Sequence, residues 1–324
     1  MSAAGVALDP AAERAHRVPA EPGWSENLCF TGWDADRRIG LWLHMGRTPY
    51  DPELWHEIVA LHLPDGRTLV AKNFSRSADP EAAMGDLLRL RCVEPFRSWS
   101  VAFEGPAKQV TDDVLAAGPL ADGPEQLLRF ALEWRSDVPV WQFGAGDWAR
   151  THYQQLGTYT GNVEIDGVVT PMRMRGWRDH SAGPRDLRPF LRHTLVAAQF
   201  DDGRSLMAVD LYDARTPDAS RTARFGDGRT VAPVEALELP GMADPRRPDA
   251  DYVFTTSTPD GPVEVRARMR CVIPITMFPP NHMTVGLSTA PEAYVLWMGQ
   301  ATFEMDGTVG SGHVERAARV GVPA

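Results

Sequence analysis

Residues 155–174, QLGTYTGNVEIDGVVTPMRM, place two strand-like arms on either side of the pair Asp166-Gly167. An Asp-Gly pair between such arms is a strong hairpin signal, because both central residues of a type I′ turn need positive φ. The same arrangement recurs at four further pairs: Asp65-Gly66, Asp202-Gly203, Asp260-Gly261 and Asp306-Gly307. The sequence therefore predicts an antiparallel protein in which hairpins follow one another along the chain.

Few segments carry the signals of a helix. Asp79 is a suitable N-cap for a short helix over residues 79–90, with Pro80 in its first turn, and residues 111–117 favour a second short helix. Strands do not alternate with long helices, and the sequence has no glycine-rich phosphate-binding motif. Strands at hairpin spacing are typical of barrels and sandwiches. The predicted class is therefore all-β, with few short helices.

The hairpins fall into two sets, with a boundary near residue 186. A chain of 324 residues is long enough for two domains. We expect a flexible N-terminal arm over residues 1–22, a first β domain over residues 23–175 and a second over residues 176–324.

The composition disfavours several classes of protein. Lys and Arg number 33 against 43 Asp and Glu, a net charge of −10, whereas a nucleic-acid partner needs a basic surface. The three cysteines are far apart and form no CxxC pair, so we predict no disulfide framework. Residues 1–22 do not resemble a signal peptide, and no apolar run is long enough to cross a bilayer. We expect a soluble, cytoplasmic protein that binds no nucleic acid and has no integral membrane segment.

The most highly charged stretch is residues 176–186, GWRDHSAGPRD, at the predicted junction of the two domains. A His among carboxylates can donate or accept a proton near neutral pH, whereas Arg stays charged and orients carboxylates. One interpretation is an acid–base site, and the other is a structural cluster of ion pairs that fixes a loop between two sheets. The sequence has no HxH, HExxH or GxSxG motif, so we predict neither a metal site nor a nucleophilic serine.

Polar and aromatic residues inside strand-like runs are the other candidates. His313 and Glu315 lie two residues apart, so they share one face of a strand, either inside a cavity or as a solvated surface pair. Further polar residues stand in strand-like runs at Glu26, His44, His56 and His152-Tyr153. Tryptophans can line an apolar ligand cavity or simply fill a core. The candidates for ligand contact are Trp24, Trp42, Trp141, Trp177 and Trp297.

Three pieces of the sequence resemble the carotenoid hydratase and AttH-like superfamily. They are the WSEN run at 24–27, the block from HYQQLG at 152–157 through GWRDHSAGPRD at 176–186, and DGTVGSGHVER at 306–316. The central motif resembles the Arg-Asp-His-Ser-Trp-Gly-x-Arg-Asp of an uncharacterised branch of actinobacterial and proteobacterial proteins. Ala182 stands here where that motif has Trp, which implies a larger or differently shaped pocket.

The resemblance implies two lipocalin-like antiparallel β-barrel or sandwich domains in tandem. It also implies a cofactor-independent hydratase, isomerase or cyclase that acts by acid–base chemistry on a hydrophobic isoprenoid-, steroid- or polyketide-like substrate. Asp179 is then the expected acid, with His180 as the alternative donor, and Arg178 and Arg185 orient carboxylates such as Glu315. The expected catalytic residues are Asp179, His180, Arg178 and Glu315, and the expected substrate contacts are Trp24, Glu26, Trp42, Trp141, Tyr153, Trp177, Arg185, Trp297 and His313.

Two other functions remain compatible with the sequence. One is a non-catalytic lipid-binding carrier with the same double barrel, in which the charged motif joins the domains. The other is a structural or interaction protein. For both the enzyme and the lipid carrier, the expected partner is a hydrophobic small molecule. The expected assembly is a monomer or a homodimer.

Overall fold

The computed structural model describes residues 8–19, 21–77, 79, 81–118, 123–142, 149–215, 220–228, 230–234, 239–242, 244–246, 251–258 and 260–321. These residues form twenty β-strands in two antiparallel sheets, one α-helix and one short 3₁₀-helix over Pro10–Glu13. The predicted all-β class is therefore confirmed.

The first sheet closes into a barrel. Its strands are β1 (Trp24–Asp34), β2 (Ile39–Arg47), β3 (Leu54–His62), β4 (Arg67–Arg76), β5 (Ala83–Met84), β6 (Leu88–Glu94), β7 (Ser98–Thr111), β8 (Glu125–Arg135), β9 (Trp141–Gln142), β10 (Thr151–Ile165) and β11 (Val168–Pro184). The order β4-β3-β2-β1-β11-β10-β8-β7 is closed by hydrogen bonds between β4 and β7. Eight strands thus form the first barrel, and closure leaves those strands without a free edge.

The second sheet repeats this order but stays open in the part of the chain that the structure describes. Its strands are β12 (Phe190–Phe200), β13 (Ser205–Asp213), β14 (Ser220–Gly226), β15 (Val231–Val234), β16 (Asp251–Thr258), β17 (Gly261–Phe278), β18 (His282–Val285), β19 (Tyr294–Met305) and β20 (Thr308–Arg319). The order is β15-β14-β13-β12-β20-β19-β17-β16. In each sheet the last strand returns to pair with the first. This curled half-barrel beside the closed barrel confirms the tandem lipocalin-like architecture.

The hairpins predicted from Asp-Gly pairs are present. The two arms that open the sequence are β10 and β11, which pair from Thr151–Ala182 to Ile165–Val168. Asp166 and Gly167 between them have φ of 47° and 86°. Both central residues are thus left-handed, as a type I′ turn requires.

The two helix predictions had different outcomes. The α-helix α1 covers Asp112–Ala117, close to the predicted 111–117. The helix predicted over 79–90 is wrong, because that segment contains β5 and the start of β6. The helices within the described residues are too short and too polar to span a membrane.

A buried carboxylate explains the error at residues 79–90. Glu57, on β3, accepts hydrogen bonds from the backbone N–H groups of Asp86 (3.2 Å), Leu87 (3.0 Å) and Leu88 (2.5 Å). It also accepts from Ser75 Oγ at 2.5 Å. These N–H groups therefore find an acceptor outside the segment, and a tertiary contact overrides the local cap signal.

The charged motif lies in the first sheet. β11 carries residues 176–184 between β1 and β10, so the sheets divide after Pro184. The faces of the two sheets then pack together. The Trp177 ring stacks on that of His313, with centroids 4.9 Å apart, and Gln199 donates to the carbonyl oxygens of Gly157 and Gly176. The domain limits 23–175 and 176–324 remain a prediction. Below, the first domain is the part of the chain that carries the first sheet, through Pro184, and the second domain is the part that carries the second sheet.

Part of the arm expected to be flexible contributes buried groups to the first barrel. Glu13 is fully buried, and its carboxylate accepts a hydrogen bond from Trp99 Nε1 at 2.8 Å. Asp9 caps the 3₁₀-helix by accepting from the Ala11 N–H group. Residues 9–13 are therefore fixed by specific contacts.

We expect Glu57→Ala to lower the free energy of unfolding by about 3 kcal/mol, because several buried N–H and O–H donors lose their acceptor at once. Urea unfolding at pH 7 measures this. Glu53→Ala is the control, since Glu53 is exposed just before β3, and it should change stability by less than about 0.5 kcal/mol. Equal stabilities for the two variants would contradict the role of Glu57.

Candidate active site

The site is built on the alternation of β11. Successive side chains of a strand point to opposite faces, so Trp177, Asp179 and Ser181 share one face and Arg178 and His180 the other. The first three line a cavity between the two sheets. Arg178 and His180 instead contact residues inside the first barrel. Asp179 and His180 therefore do not face the same space, and of the two only Asp179 lines the cavity.

The cavity has a volume of about 110 Å³ and two chemically different walls. The first domain supplies mostly polar groups: Asn27, Cys29, His44, His152, Gln154, Asp179 and Ser181, with Trp42 and Trp177 beside them. The second domain supplies mostly apolar groups: Leu195, Val209, Ile275, Met277, Met283, Leu296 and Met298. An apolar molecule could lie on one wall while its reactive end meets the other.

Asp179 is held by two neighbours on β10. His152 Nε2 lies 2.5 Å from Asp179 Oδ2, and Gln154 Nε2 donates to the same oxygen at 3.1 Å. His152 and Gln154 lie two residues apart, so the strand period brings both to the Asp179 face. Asp179 thus has an imidazole within proton-transfer distance.

Glu315 belongs to a second set of hydrogen-bonded side chains, which the second domain contributes. His193 Nε2 lies 2.7 Å from Glu315 Oε1, and His193 Nδ1 lies 2.6 Å from the Tyr294 hydroxyl. In a neutral imidazole that donates from Nε2, Nδ1 accepts from the Tyr294 O–H. Burial alone would raise the pKa of Glu315, but the hydrogen bond from His193 and the nearby His313 outweigh it and lower that pKa. Glu315 is therefore ionised at neutral pH.

Burial and charge also act on the other ionisable groups of the cavity. Burial, followed by the charge of Glu315, raises the pKa of Tyr294 well above its usual range. Burial lowers the pKa of Arg185, whose Nη2 donates to Ser181 Oγ at 2.8 Å. Burial and then the charge of Arg185 lower the pKa of His44 to about 4, so His44 is neutral at pH 7. Its Nδ1 lies 2.8 Å from His56 Nε2.

The other face of β11 forms a buried ionic cluster in the first barrel. Arg178 donates from Nη2 to Glu13 Oε1 at 2.7 Å, and its guanidinium lies over the Trp134 ring at 4.8 Å. His180 connects the Tyr153 hydroxyl (2.8 Å) to Glu26 (3.1 Å). Such pairing offsets the cost of burying charge. The cluster fixes the strand that carries Asp179.

The described residues contain one group with the donor set of a metal site. His16, Glu26 and His180 place three ligand atoms within 4.8 Å of one another. Glu26 already accepts from His16 Nδ1 (2.7 Å), His180 Nε2 (3.1 Å) and Arg47 Nε (3.0 Å). A cation there would compete with these protons and be repelled by the guanidinium. The group is better described as a hydrogen-bonded ion-pair network.

The structure brings together some of the predicted site residues and separates others. Trp42, Trp177, Asp179, Arg185 and Glu315 line the cavity. His313 is buried behind Trp177, and Trp141 packs in the apolar cluster shared by the two domains. Glu26 and Tyr153 join Arg178 and His180 in the first barrel, with Trp24 beside His16. Trp297 donates to the Pro245 carbonyl oxygen and packs with Met242, away from the cavity. The roles of these residues remain predictions.

The predicted site residues omit many of the residues that line the cavity, among them His193 and Tyr294. His193 lies two residues before Leu195, so the strand period places both on one face and could have identified it. Tyr294 carries no local signal. It comes near His193 because β19 and β12 both pair with β20.

A family model described as "Domain of unknown function (DUF7064)" matches residues 9–320. The chain belongs to this family. No curated protein sequence is significantly similar to it.

Solved structures share the fold of this DUF7064 protein. A protein provisionally named AttH, from Nitrosomonas europaea, is 16% identical over 98% of this chain and 99% of its own, with a TM-score of 0.62. CghA is 12% identical over 92% of this chain and 89% of its own, with a TM-score of 0.52. Kievitone hydratase from Nectria haematococca is 11% identical over 91% of this chain and 89% of its own, and its TM-score is also 0.52. The resemblance to the AttH-like superfamily is thus confirmed for the fold.

We expect His44→Gln to reduce the acid sensitivity of folding. The folded pKa of His44 is about 4, below the usual 6.5, so the unfolded chain binds the extra proton and stability falls as pH drops from 6.5 towards 4. In the variant, the loss of unfolding free energy between pH 7 and pH 4.5 should be smaller by about 2 kcal/mol. Urea unfolding at both pH values measures it, and an unchanged loss would show that His44 does not resist protonation.

Proposed function

We propose that this protein is a hydratase that adds water across a carbon–carbon double bond of a hydrophobic substrate. The observation that carries the proposal is the cavity between the domains, where Asp179 and Glu315, each hydrogen-bonded to a histidine, lie on walls contributed by different domains. Hydration of an alkene needs an acid for one carbon, a base for the attacking water and a site that limits bulk water.

Asp179 is the proposed acid. In its protonated form it delivers a proton to one alkene carbon, and the π electrons form the new C–H bond. His152, at 2.5 Å from Oδ2, holds the carboxyl group in place. After each cycle a proton from solvent returns to Asp179 through His152, and the proton taken up by Glu315 leaves to solvent. The faces of Trp42 and Trp177, which line the same cavity, stabilise the positive charge on the second carbon.

Glu315 is the proposed base. Water forms a C–O bond with the second carbon, and the resulting oxonium is a strong acid that gives a proton to a weak base. A carboxylate of lowered pKa is sufficient for this step. His193 and Tyr294 orient the carboxylate and stay hydrogen-bonded to it in series. The addition consists of two proton transfers and the attack of water, with no net oxidation or reduction, so the proposed reaction needs no redox cofactor.

The apolar wall supports the proposed substrate class. Leucine, isoleucine, valine and methionine side chains of the second domain suit the apolar part of an isoprenoid-, steroid- or polyketide-like molecule, of which a cavity of about 110 Å³ encloses only a portion. Kievitone hydratase, whose name states a hydration, has the same fold. An isomerase or a cyclase would use the same acid without the attack of water.

The test is turnover of a panel of isoprenoid alkenes in H₂¹⁸O, followed by mass spectrometry. The wild type should form an alcohol that carries ¹⁸O. Asp179→Asn and Glu315→Gln should each lower the rate by about 10²- to 10⁴-fold. The control is Glu304→Gln, which removes an exposed carboxylate from β19 and should keep the wild-type rate.

Two results would contradict this proposal. Binding of the panel without any change in ligand mass would favour the lipid carrier instead. Turnover that survives both Asp179→Asn and Glu315→Gln would separate the reaction from this cavity.

A further inference from the structure

A second cleft lies between the domains, further along the same interface. It has a volume of about 620 Å³, within the range of small-molecule sites, and both domains contribute to it. On β1 its lining residue Trp33 is four positions beyond Cys29 of the first cavity, roughly 13 Å at about 3.3 Å per residue. The two spaces share no lining residue, so this cleft is distinct from the candidate active site.

Two arginines, one from each domain, stand at this cleft. Arg37 pairs with Asp34 at 3.4 Å, whereas the next residue, Arg38, makes no ion pair or side-chain hydrogen bond with any described residue. Arg270 donates from Nε to Thr302 Oγ1 at 2.7 Å, and the described residues offer no carboxylate to its terminal nitrogens. In a chain of net charge −10, two such guanidinium groups on one concave surface form a local positive field.

The rest of the cleft is apolar or neutral. Trp33, Leu63 and Met269 provide hydrophobic surface. His62 is only 5% exposed, and its Nδ1 is hydrogen-bonded to Thr68 Oγ1 at 2.9 Å. Burial lowers its pKa to about 4, so it adds no charge at pH 7. Among the lining side chains only the two arginines are therefore charged at pH 7, and the carboxylate of Asp112 acts on the lining residue Cys271 from outside the lining. The apolar walls suit an apolar group.

We propose that this arginine cleft binds an amphipathic anion, in which an apolar chain or ring carries one carboxylate. The head group would accept hydrogen bonds from Arg38 and Arg270, and the apolar part would lie against Trp33, Leu63 and Met269. Because the two guanidinium groups come from different domains, one anion would connect the domains at this end of their interface. The proposal does not depend on the reaction proposed for the other cavity.

The test is isothermal titration calorimetry of the full chain with decanoate, at concentrations below the critical micelle concentration of decanoate. Arg38→Met combined with Arg270→Met should weaken decanoate binding at least tenfold. Arg89→Met combined with Arg135→Met is the matched control, because it removes two exposed positive charges outside the cleft and should change affinity less than twofold. Decyltrimethylammonium, with the same chain and the opposite charge, should bind at least tenfold more weakly than decanoate.

All four exchanged arginines are exposed, and equal melting temperatures of the variants will show that each is folded. Three outcomes would overturn the proposal. These are no measurable binding of decanoate to the wild type, equal affinity in the Arg38/Arg270 variant, and an equal loss in the Arg89/Arg135 variant.

Discussion

The alternation of side chains along β11 is the constraint on which the site depends. It sends Asp179 to the cavity between the sheets and Arg178 and His180 into the first barrel. A motif that reads as one charged run is thus two separate chemical environments. One environment holds an acid beside an apolar wall, and the other holds ion pairs that fix the strand.

The ion pairs matter because each buried charge needs a partner. Glu13 meets Arg178, and Glu26 meets Arg47. Without its partner, each charge would cost several kcal/mol in a medium of low polarity. The N-terminal segment supplies Glu13, the partner of Arg178 on β11. The position of β11 therefore depends on a residue far from the motif in sequence.

The hairpins could be predicted from the sequence, because their turns are local. Asp-Gly pairs fix both the turn and the register of the arms they connect, as in β10 and β11. The segment 79–90 could not, because its local signals favour a helix while Glu57, from another strand, binds its backbone. The buried role of Glu13 could not either, since its partner is 165 residues away.

The sequence by itself determined the all-β class and the hairpins, since strand period and turn chemistry are local properties. It also singled out Asp179, Arg185 and Glu315, which the structure places on one cavity. Only the tertiary structure decided that His193 and Tyr294 join Glu315, that His180 lies apart from Asp179, and that Arg38 and Arg270 meet at one cleft. These groupings come from the packing of one sheet against the other. No local property of the chain specifies which strands of two separate sheets will face each other.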